Sequence, residues 1–232
     1  MKIGYVILCR YNSSRLPGKI LKSLKGLPPL QHTFNRINQF ASKDQIVIAT
    51  SVEESDNAIC DYCEANQINY FRGSLDNVAR RFLDVAEQND FDYVVRINGD
   101  NIFIDLETVE LMEKEAVTAQ YDFLTNVKDR TFPKGMSIEF IRTAFYKEKI
   151  LWIESEEAYK EHVTFAFYDN PPAEMKVKFF YNEKFPKLSG SDLALDSPED
   201  FKFIERMIEE LGTKMKNYTL KEIEDAYVKL ER

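Results

Sequence analysis

Residues 2–9, KIGYVILC, and the ten that follow them, Arg10-Tyr11-Asn12-Ser13-Ser14-Arg15-Leu16-Pro17-Gly18-Lys19, carry the reading on which the fold turns. The first stretch is a short apolar run with a Val/Ile core, suited to a strand buried on both faces. The second is polar, holds Pro17 and Gly18, and reads as a loop. It sets three cations, Arg10, Arg15 and Lys19, among small and hydroxyl residues. Arginine offers forked hydrogen bonds, lysine a point charge and loop N–H groups the remainder, a composition suited to a polyphosphate. A solvated basic loop is the plain alternative. The position directly after a buried first strand favours phosphate, because open α/β sheets bind ligands beyond the carboxyl ends of their strands. Two familiar phosphate loops are excluded. Gly18-Lys19 is followed by Ile20, and Ser13 stands where a Walker loop needs its first glycine; of the eight glycines, no two are separated by one residue as a dinucleotide fingerprint requires.

Downstream, strands and helices alternate. Helical spacing marks residues 29–40, 56–66 and 75–88, the last with Ser74 as expected cap, while residues 45–50, 68–71 and 92–97 read as strands. Alternation of this kind implies βαβ units, hence a Rossmann-like, mainly parallel α/β sheet flanked by helices. Asp105 is expected to cap a helix over 106–117. The order then becomes less regular, with strands expected at 137–141 and 175–181. Ser197-Pro198-Glu199-Asp200 has the cap, the N1 proline and the first-turn acids of a helix start; that helix is expected over 199–211, ended by Gly212, with a last helix over 220–230.

Two more polar clusters fall at strand ends. Arg96-Ile97-Asn98-Gly99-Asp100-Asn101 places a carboxylate just past the fourth strand, a common way to hold Mg²⁺ against phosphate, although an Asn-Gly-Asp turn would also account for it. Asp192-Leu193-Ala194-Leu195-Asp196-Ser197 delivers Asp196 just before a helix cap, where acids are often structural.

Composition narrows the classes. The chain has 232 residues, 44% apolar and 30% charged, with a net charge of −8. That length fits one α/β domain, and the acidic balance argues against nucleic-acid binding while leaving room for a small anion held by local cations. His32 and His162 are the only histidines, so a His-rich metal site is excluded. Cys9, Cys60 and Cys63 form no disulfide framework, and the C-x-x-C lies in an amphipathic stretch and reads as packing. The N-terminus opens directly on the strand-like run, without a signal-peptide pattern, and no stretch of about 18 apolar residues occurs. A cytoplasmic protein with no membrane partner is expected.

Together the clusters resemble the cytidylyltransferases that make CMP-activated sugar acids: CMP-Kdo synthetases, acylneuraminate cytidylyltransferases and their SpsF-like branch. Residues 9–19 match a signature similar to A-R-x-x-S-x-R-L-P-G-K. Phe71-Arg72-Gly73-Ser74 with Asp76-Asn77-Val78 resembles F-R-G-S-x-D-D-V, Arg96–Asp100 resembles R-I-T-G-D, Lys160–Thr164 resembles R-E-H-V-T, and Leu195–Asp200 resembles V-D-T-P-E-D. The matches keep family order. Departures are Leu8 where Gln is frequent, Cys9 for Ala, Asn101-Ile102 for x-Pro, and Ser137 for Asp in Gly135-Met136-Ser137-Ile138-Glu139. What the resemblance implies is a single nucleotidyltransferase domain over 1–232, with a small mixed subdomain near 130–185 on the sugar side that serves a homodimer. It also implies transfer of CMP from CTP to a small acidic sugar. Arg10, Arg15 and Lys19 would hold the triphosphate, with Leu8, Ser13, Arg72 and Asn98 on the nucleotide, Glu139 and His162 on the sugar, and Asp100 and Asp196 carrying Mg²⁺. Another acceptor, a phosphorylated alcohol or phosphonate, is the alternative within enzymes. A nucleotide-sugar-dependent glycosyltransferase is the alternative from a different class, against which no D-x-D follows the fourth strand, and a non-catalytic sugar-nucleotide-binding protein is a third reading.

Overall fold

The computed structural model describes residues 1–13 and 15–230; Ser14 of the loop motif lies outside the described residues. The apolar run becomes β1 (Ile3–Leu8), buried at every position. It pairs in parallel on one side with β2 (Ile46–Ser51) and on the other with β4 (Tyr93–Asn98), so that Val6 lies opposite both Val47 and Arg96. β3 (Tyr70–Gly73) adds to β2, again in parallel. Beyond β4 come β6 (Glu139–Arg142), β5 (Phe123–Thr125) and β7 (Val177–Phe179), giving the order β3-β2-β1-β4-β6-β5-β7. Only β6 runs against its neighbours. The chain winds outward from β1 through β2 to β3, then returns to the far side of β1 at β4. The carboxyl ends of β1 and β4 therefore flank the switch point where such sheets bind ligands.

Alternation of side chains along the strands splits the core into two layers. Tyr5 and Ile7 pack under α1 (Pro29–Ile37), α2 (Asn57–Ala65) and α4 (Leu106–Val117). Val6 and Leu8 pack under α3 (Val78–Gln88), α5 (Thr143–Ile153), α6 (Glu157–His162) and α7 (Ala166–Asp169). A third cluster joins α8 (Pro198–Leu211) and α9 (Leu220–Leu230) to Leu24, Ile102, Met136 and Leu195. α8 starts as its sequence implies: Ser197 Oγ accepts from Asp200 N–H (3.1 Å), and the Asp200 carboxylate accepts from Ser197 N–H (2.8 Å). Asp105 caps α4 by accepting from Thr108 N–H.

Several elements differ from their sequence reading. α3 begins at Val78, with Asn77 as the cap that accepts from Arg80 N–H (2.9 Å); Ser74 instead closes the preceding turn, its Oγ accepting from Asn77 N–H (3.0 Å). The strand expected from 137 starts at Glu139, because the Asn126 side chain takes up Ile138 N–H and Met136 C=O in place of a ladder. β5 and α5 escaped the pattern altogether. β5 has three residues, and α5 spreads apolar residues around its circumference, burying Phe145, Ile150 and Ile153 while Leu151 stays exposed. Residues 130–185 contribute β6 and β7 to the one sheet and α5–α7 to its second layer. The three cysteines are free and buried, and burial pushes the Cys63 thiol up to about 12, away from redox reactivity. Trp152 is half-buried and packs against the core at Tyr159 and Phe167. No helix among the described residues is long and apolar enough to cross a membrane.

Candidate active site

Three turns converge beyond β1 and β4. The first is the loop after β1. Its start is tied down by the buried Asp56, whose carboxylate accepts from Tyr11 N–H (2.7 Å), Thr50 Oγ1 (2.8 Å), Ser51 N–H (2.9 Å) and Ser51 Oγ (2.5 Å). Burial alone would raise the Asp56 pKa, but the hydrogen bonds from Ser51, Tyr11 and Thr50 outweigh it and hold the carboxyl below its ordinary value. Gly18 N–H then returns to Tyr11 C=O (2.9 Å), and Gly18 adopts a left-handed φ of 71° that leads into Lys19.

The second turn follows β4. Gly99 N–H donates to Leu8 C=O (2.9 Å), and a Cβ on Gly99 would lie 2.7 Å from Ile20 Cδ1 and 2.9 Å from Cys9 Cβ. A glycine here lets the two strand ends touch and sets Asn98 and Asp100 beside the cationic loop. The third turn comes from far along the chain. Lys134 N–H donates to Ser191 C=O (3.0 Å) and Leu193 N–H to Lys134 C=O (2.9 Å), and this bridge leads into Asp196.

The charges meet where the turns meet. Lys19 Nζ lies 2.6 Å from Asp100 Oδ2 and 3.4 Å from Asp196 Oδ1, and it also donates to Leu195 C=O. Arg15 lies 2.9 Å from Asp196. Two carboxylates from segments about a hundred residues apart thus share one ammonium.

This junction is the seam between two lobes of a cleft. One lobe, about 240 Å³, is lined by Leu8, Arg10, Ser13, Lys19 and Asn98 among others. The second, about 530 Å³, is lined by Arg96, Arg130, Lys134, Glu139, His162 and Tyr168 among others. Arg15, Asn98, Asp100 and Asp196 line both. In the floor of the larger lobe, Arg96 Nη1 donates to Glu139 Oε2 (2.6 Å) and Tyr168 O–H donates to Glu139 Oε1 (2.6 Å), with Thr125 Oγ1 also 2.6 Å from the phenol. Burial, then the Glu139 charge, pushes the Tyr168 phenol far above its usual range, so it remains a donor. Arg96 Nε is buried without a partner among the described residues. The opposite wall is strained: Val163 has φ 51° and ψ −60°, closed by Thr164 N–H to His162 C=O (2.5 Å), a conformation a β-branched residue rarely adopts. Arg10, at 3.4 Å from Glu161, links that wall to the smaller lobe.

The residues expected from the sequence are thus brought together, with one exception. Arg72 lines neither lobe; its guanidinium donates to Ser51 C=O (3.0 Å) and Glu53 C=O (2.9 Å) at the β2–β3 edge. Asp56, Arg130, Lys134 and Tyr168 were given no site role from the sequence, and Thr164 entered only through the Lys160–Thr164 match. For Arg130 and Lys134 the available signal was two cations flanking Phe132-Pro133 just ahead of Gly135; Tyr168 and Asp56 act through neighbours that only folding supplies.

The family described as Cytidylyltransferase matches residues 5–226. The spore coat polysaccharide biosynthesis protein SpsF of Bacillus subtilis is 29% identical over 216 residues, covering 90% of this chain and 88% of its own. The structure of a cytidylyltransferase from Leptospira borgpetersenii superposes with a TM-score of 0.87 at 27% identity, covering 100% of this chain and 96% of that one. The structure of CMP:2-keto-3-deoxy-manno-octonic acid synthetase complexed with CTP shares the fold, with a TM-score of 0.65 at 17% identity over 90% of this chain and 99% of that one.

Proposed function

The chain belongs to the cytidylyltransferase family, and from that premise we propose that it joins CMP from CTP to a hydroxyl of a sugar acid with release of pyrophosphate. The observation that carries the reading is the seam, where Asp100 and Asp196 line both lobes and face Lys19. The small lobe supplies loop cations for a triphosphate. The large lobe counts four cations, Arg15, Arg96, Arg130 and Lys134, against three carboxylates, Asp100, Glu139 and Asp196, in a chain of net charge −8. A local cationic surplus on an acidic protein favours an anionic acceptor. The likeness to a spore coat polysaccharide biosynthesis protein and to a synthetase of a CMP-linked octonic acid supports the same class.

In the reaction the acceptor oxygen bonds to the α-phosphorus, the bridging oxygen leaves with pyrophosphate, and the hydroxyl proton passes to solvent. Such chemistry rests on positioning and charge neutralisation. Arg10, Arg15 and Lys19 would hold the triphosphate and stabilise charge on the leaving pyrophosphate. Ser13 would donate to phosphate or base, and Asn98 would lie beside the cytidine. His162 and the Glu139-held Arg96 would face the sugar. The donor set fits magnesium: two carboxylates already converge on one cation, and with no third His, Cys, Asp or Glu joining them among the described residues, phosphate oxygens and water would complete the shell, as Mg²⁺ prefers. Bound between Asp100 and Asp196, the ion would neutralise phosphate charge and acidify the attacking hydroxyl.

Pyrophosphate release from each nucleoside triphosphate with Mg²⁺, across ulosonic and nonulosonic acids with phosphorylated alcohols and phosphonates alongside, tests the proposal. CTP-dependent turnover with an acid is expected. Preference for ATP or GTP, or turnover confined to phosphorylated alcohols or phosphonates, would overturn it.

A further inference from the structure

Of the four basic side chains in the large lobe, three are already paired: Arg15 with Asp196 (2.9 Å), Arg96 with Glu139 (2.6 Å) and Lys134 with Asp192 (3.1 Å). Arg130 lines the same lobe with neither an ion pair nor a side-chain hydrogen bond among the described residues. Its backbone is unusual as well. Asp129 (φ 57°) and Arg130 (φ 49°) are successive non-glycine residues in the left-handed region, which side-chain-bearing residues seldom enter and then mostly singly. Surroundings must hold such a pair in place. Here Arg130 N–H donates to Val127 C=O (3.2 Å), and Arg130 C=O accepts from Gly190 N–H (3.0 Å) and Ser189 Oγ (3.4 Å). The second anchor comes from the segment that continues through Asp192 to Asp196, so the turn that aims Arg130 is fixed to the strand of chain that delivers a seam carboxylate.

We propose that Arg130 is a specificity-determining residue of the transfer, seating the acid group of the acceptor. The proposal rests on the sugar-acid reading above and adds to it the residue that reads the acid. An unpaired guanidinium can take a carboxylate as its first anion, whereas the charges of Arg96 and Lys134 are already met by Glu139 and Asp192. Its planar fork also matches both carboxylate oxygens, which an ammonium cannot do.

The test is steady-state pyrophosphate release from CTP with Mg²⁺ by wild type, Arg130→Gln and Arg130→Lys. The acceptor probes are 2-keto-3-deoxy-manno-octonic acid and N-acetylneuraminic acid, each beside its methyl ester. With whichever acid turns over, Arg130→Gln is expected to raise the acceptor KM about tenfold or more while leaving the CTP KM within about twofold. Arg130→Lys should fall between. The methyl ester should be used equally poorly by wild type and Arg130→Gln, since the group that distinguishes them is gone. Should Arg130→Gln melt early, Arg130→Lys, which keeps the charge and loses the fork, gives the same KM comparison. Turnover of an acid with an unchanged acceptor KM in both variants would overturn this assignment alone. Turnover of neither acid would overturn both it and the sugar-acid reading.

Discussion

The two lobes of the cleft share a seam and are built by different means. The lobe proposed for the nucleotide comes almost entirely from two short segments, residues 8–20 and 98–100, at the ends of adjacent parallel strands. Glycines make its close approaches, Gly18 with a left-handed φ and Gly99 with no room for a Cβ. The lobe proposed for the acceptor draws on Arg15 and on segments from Arg96 to Asp196. Gly135, with φ 82° and no room for a Cβ against Leu193, makes one close approach, and its other tight turns are taken by Asp129, Arg130 and Val163, residues whose side chains make those conformations strained. Charges differ too. In the first lobe, cations crowd onto the two seam carboxylates; in the second, Arg96 and Lys134 have carboxylates of their own. Binding a triphosphate needs many cations and N–H groups in one loop, which contiguous sequence can encode. Reading an acceptor needs single groups aimed from several directions, which only topology can assemble.

The seam should break first and hardest. Asp100→Asn and Asp196→Asn are each expected to lower kcat by about a hundredfold to a thousandfold, the scale seen when one group stabilising transition-state charge is removed. Both should raise the Mg²⁺ concentration needed for residual activity. The double variant should be little worse than either single one, because both act on the same ion. Additive losses with unchanged Mg²⁺ dependence would mean that the carboxylates serve only to hold Lys19 and Arg15.

Glu139 sharpens the contrast from the acceptor side. It is 1% exposed and spends one oxygen on Arg96 and the other on Tyr168. Removing its charge leaves the half-buried Arg96 guanidinium uncompensated, a loss of up to about 3 kcal/mol, the lower end for a broken buried pair. Glu139→Gln should therefore melt early and raise the acceptor KM while sparing the CTP KM. A variant that melts normally, or one whose CTP KM rises as much as its acceptor KM, would erase the division of labour between the lobes.

The opposite signature is expected at Arg15 and Lys19. Each makes charge-assisted contacts worth roughly 1.5–3 kcal/mol, so Arg15→Ala and Lys19→Ala should weaken CTP use by about tenfold to a hundredfold. Isothermal titration with CTP separates binding from turnover. Lys19→Ala should also destabilise the fold more than Arg15→Ala. Lys19 and Asp100 are both largely shielded, with 13% and 17% of their side chains exposed, whereas Arg15 is 66% exposed. CTP affinity within about threefold of wild type in both variants would return the loop to solvent.

How far the sequence could be read follows the same division. β1, its loop and the residues after β4 are contiguous, strongly patterned and placed by a simple strand-end rule, so Arg10, Ser13, Arg15, Lys19, Asn98 and Asp100 were found where the cleft lies. Asp196 was found through its helix start, since the capping box at Ser197 fixes the residue before it. Arg72 was misplaced because a motif gives neighbours in sequence and not the direction of a side chain; two backbone carbonyls claim its guanidinium. Arg130 and Tyr168 were given no site role for the opposite reason. One sits in a left-handed turn that no residue type advertises, and the other lies in α7, a four-residue helix too short to show a periodic stripe.

The smallest expected effect tests whether the nucleotide loop is placed from outside itself. Asp56 accepts from Tyr11 N–H at Oδ1 and from Thr50 and Ser51 at Oδ2. In Asp56→Asn one oxygen can still serve Thr50 and Ser51, but the amide NH₂ would then face Tyr11 N–H and release the start of the loop. A loss of about 1–2 kcal/mol in stability and a rise of a few fold in CTP KM are expected. The pH dependence fixes the cause. Despite its burial, Asp56 has a pKa held below the ordinary value by hydrogen bonds from Ser51, Tyr11 and Thr50. A depressed folded pKa gives stability that is complete above the unfolded carboxyl value of about 3.9 and is lost as pH falls through the folded one. The melting-temperature gap between wild type and Asp56→Asn should therefore be steady from about pH 5 to 8 and narrow below about pH 4, as wild type protonates the same oxygen that the variant has already neutralised. A gap that stays constant down to pH 3 would show that shape and not charge anchors the loop. A gap that narrows with the CTP KM unmoved would show that the anchor stabilises β2 alone, leaving the phosphate loop to organise itself.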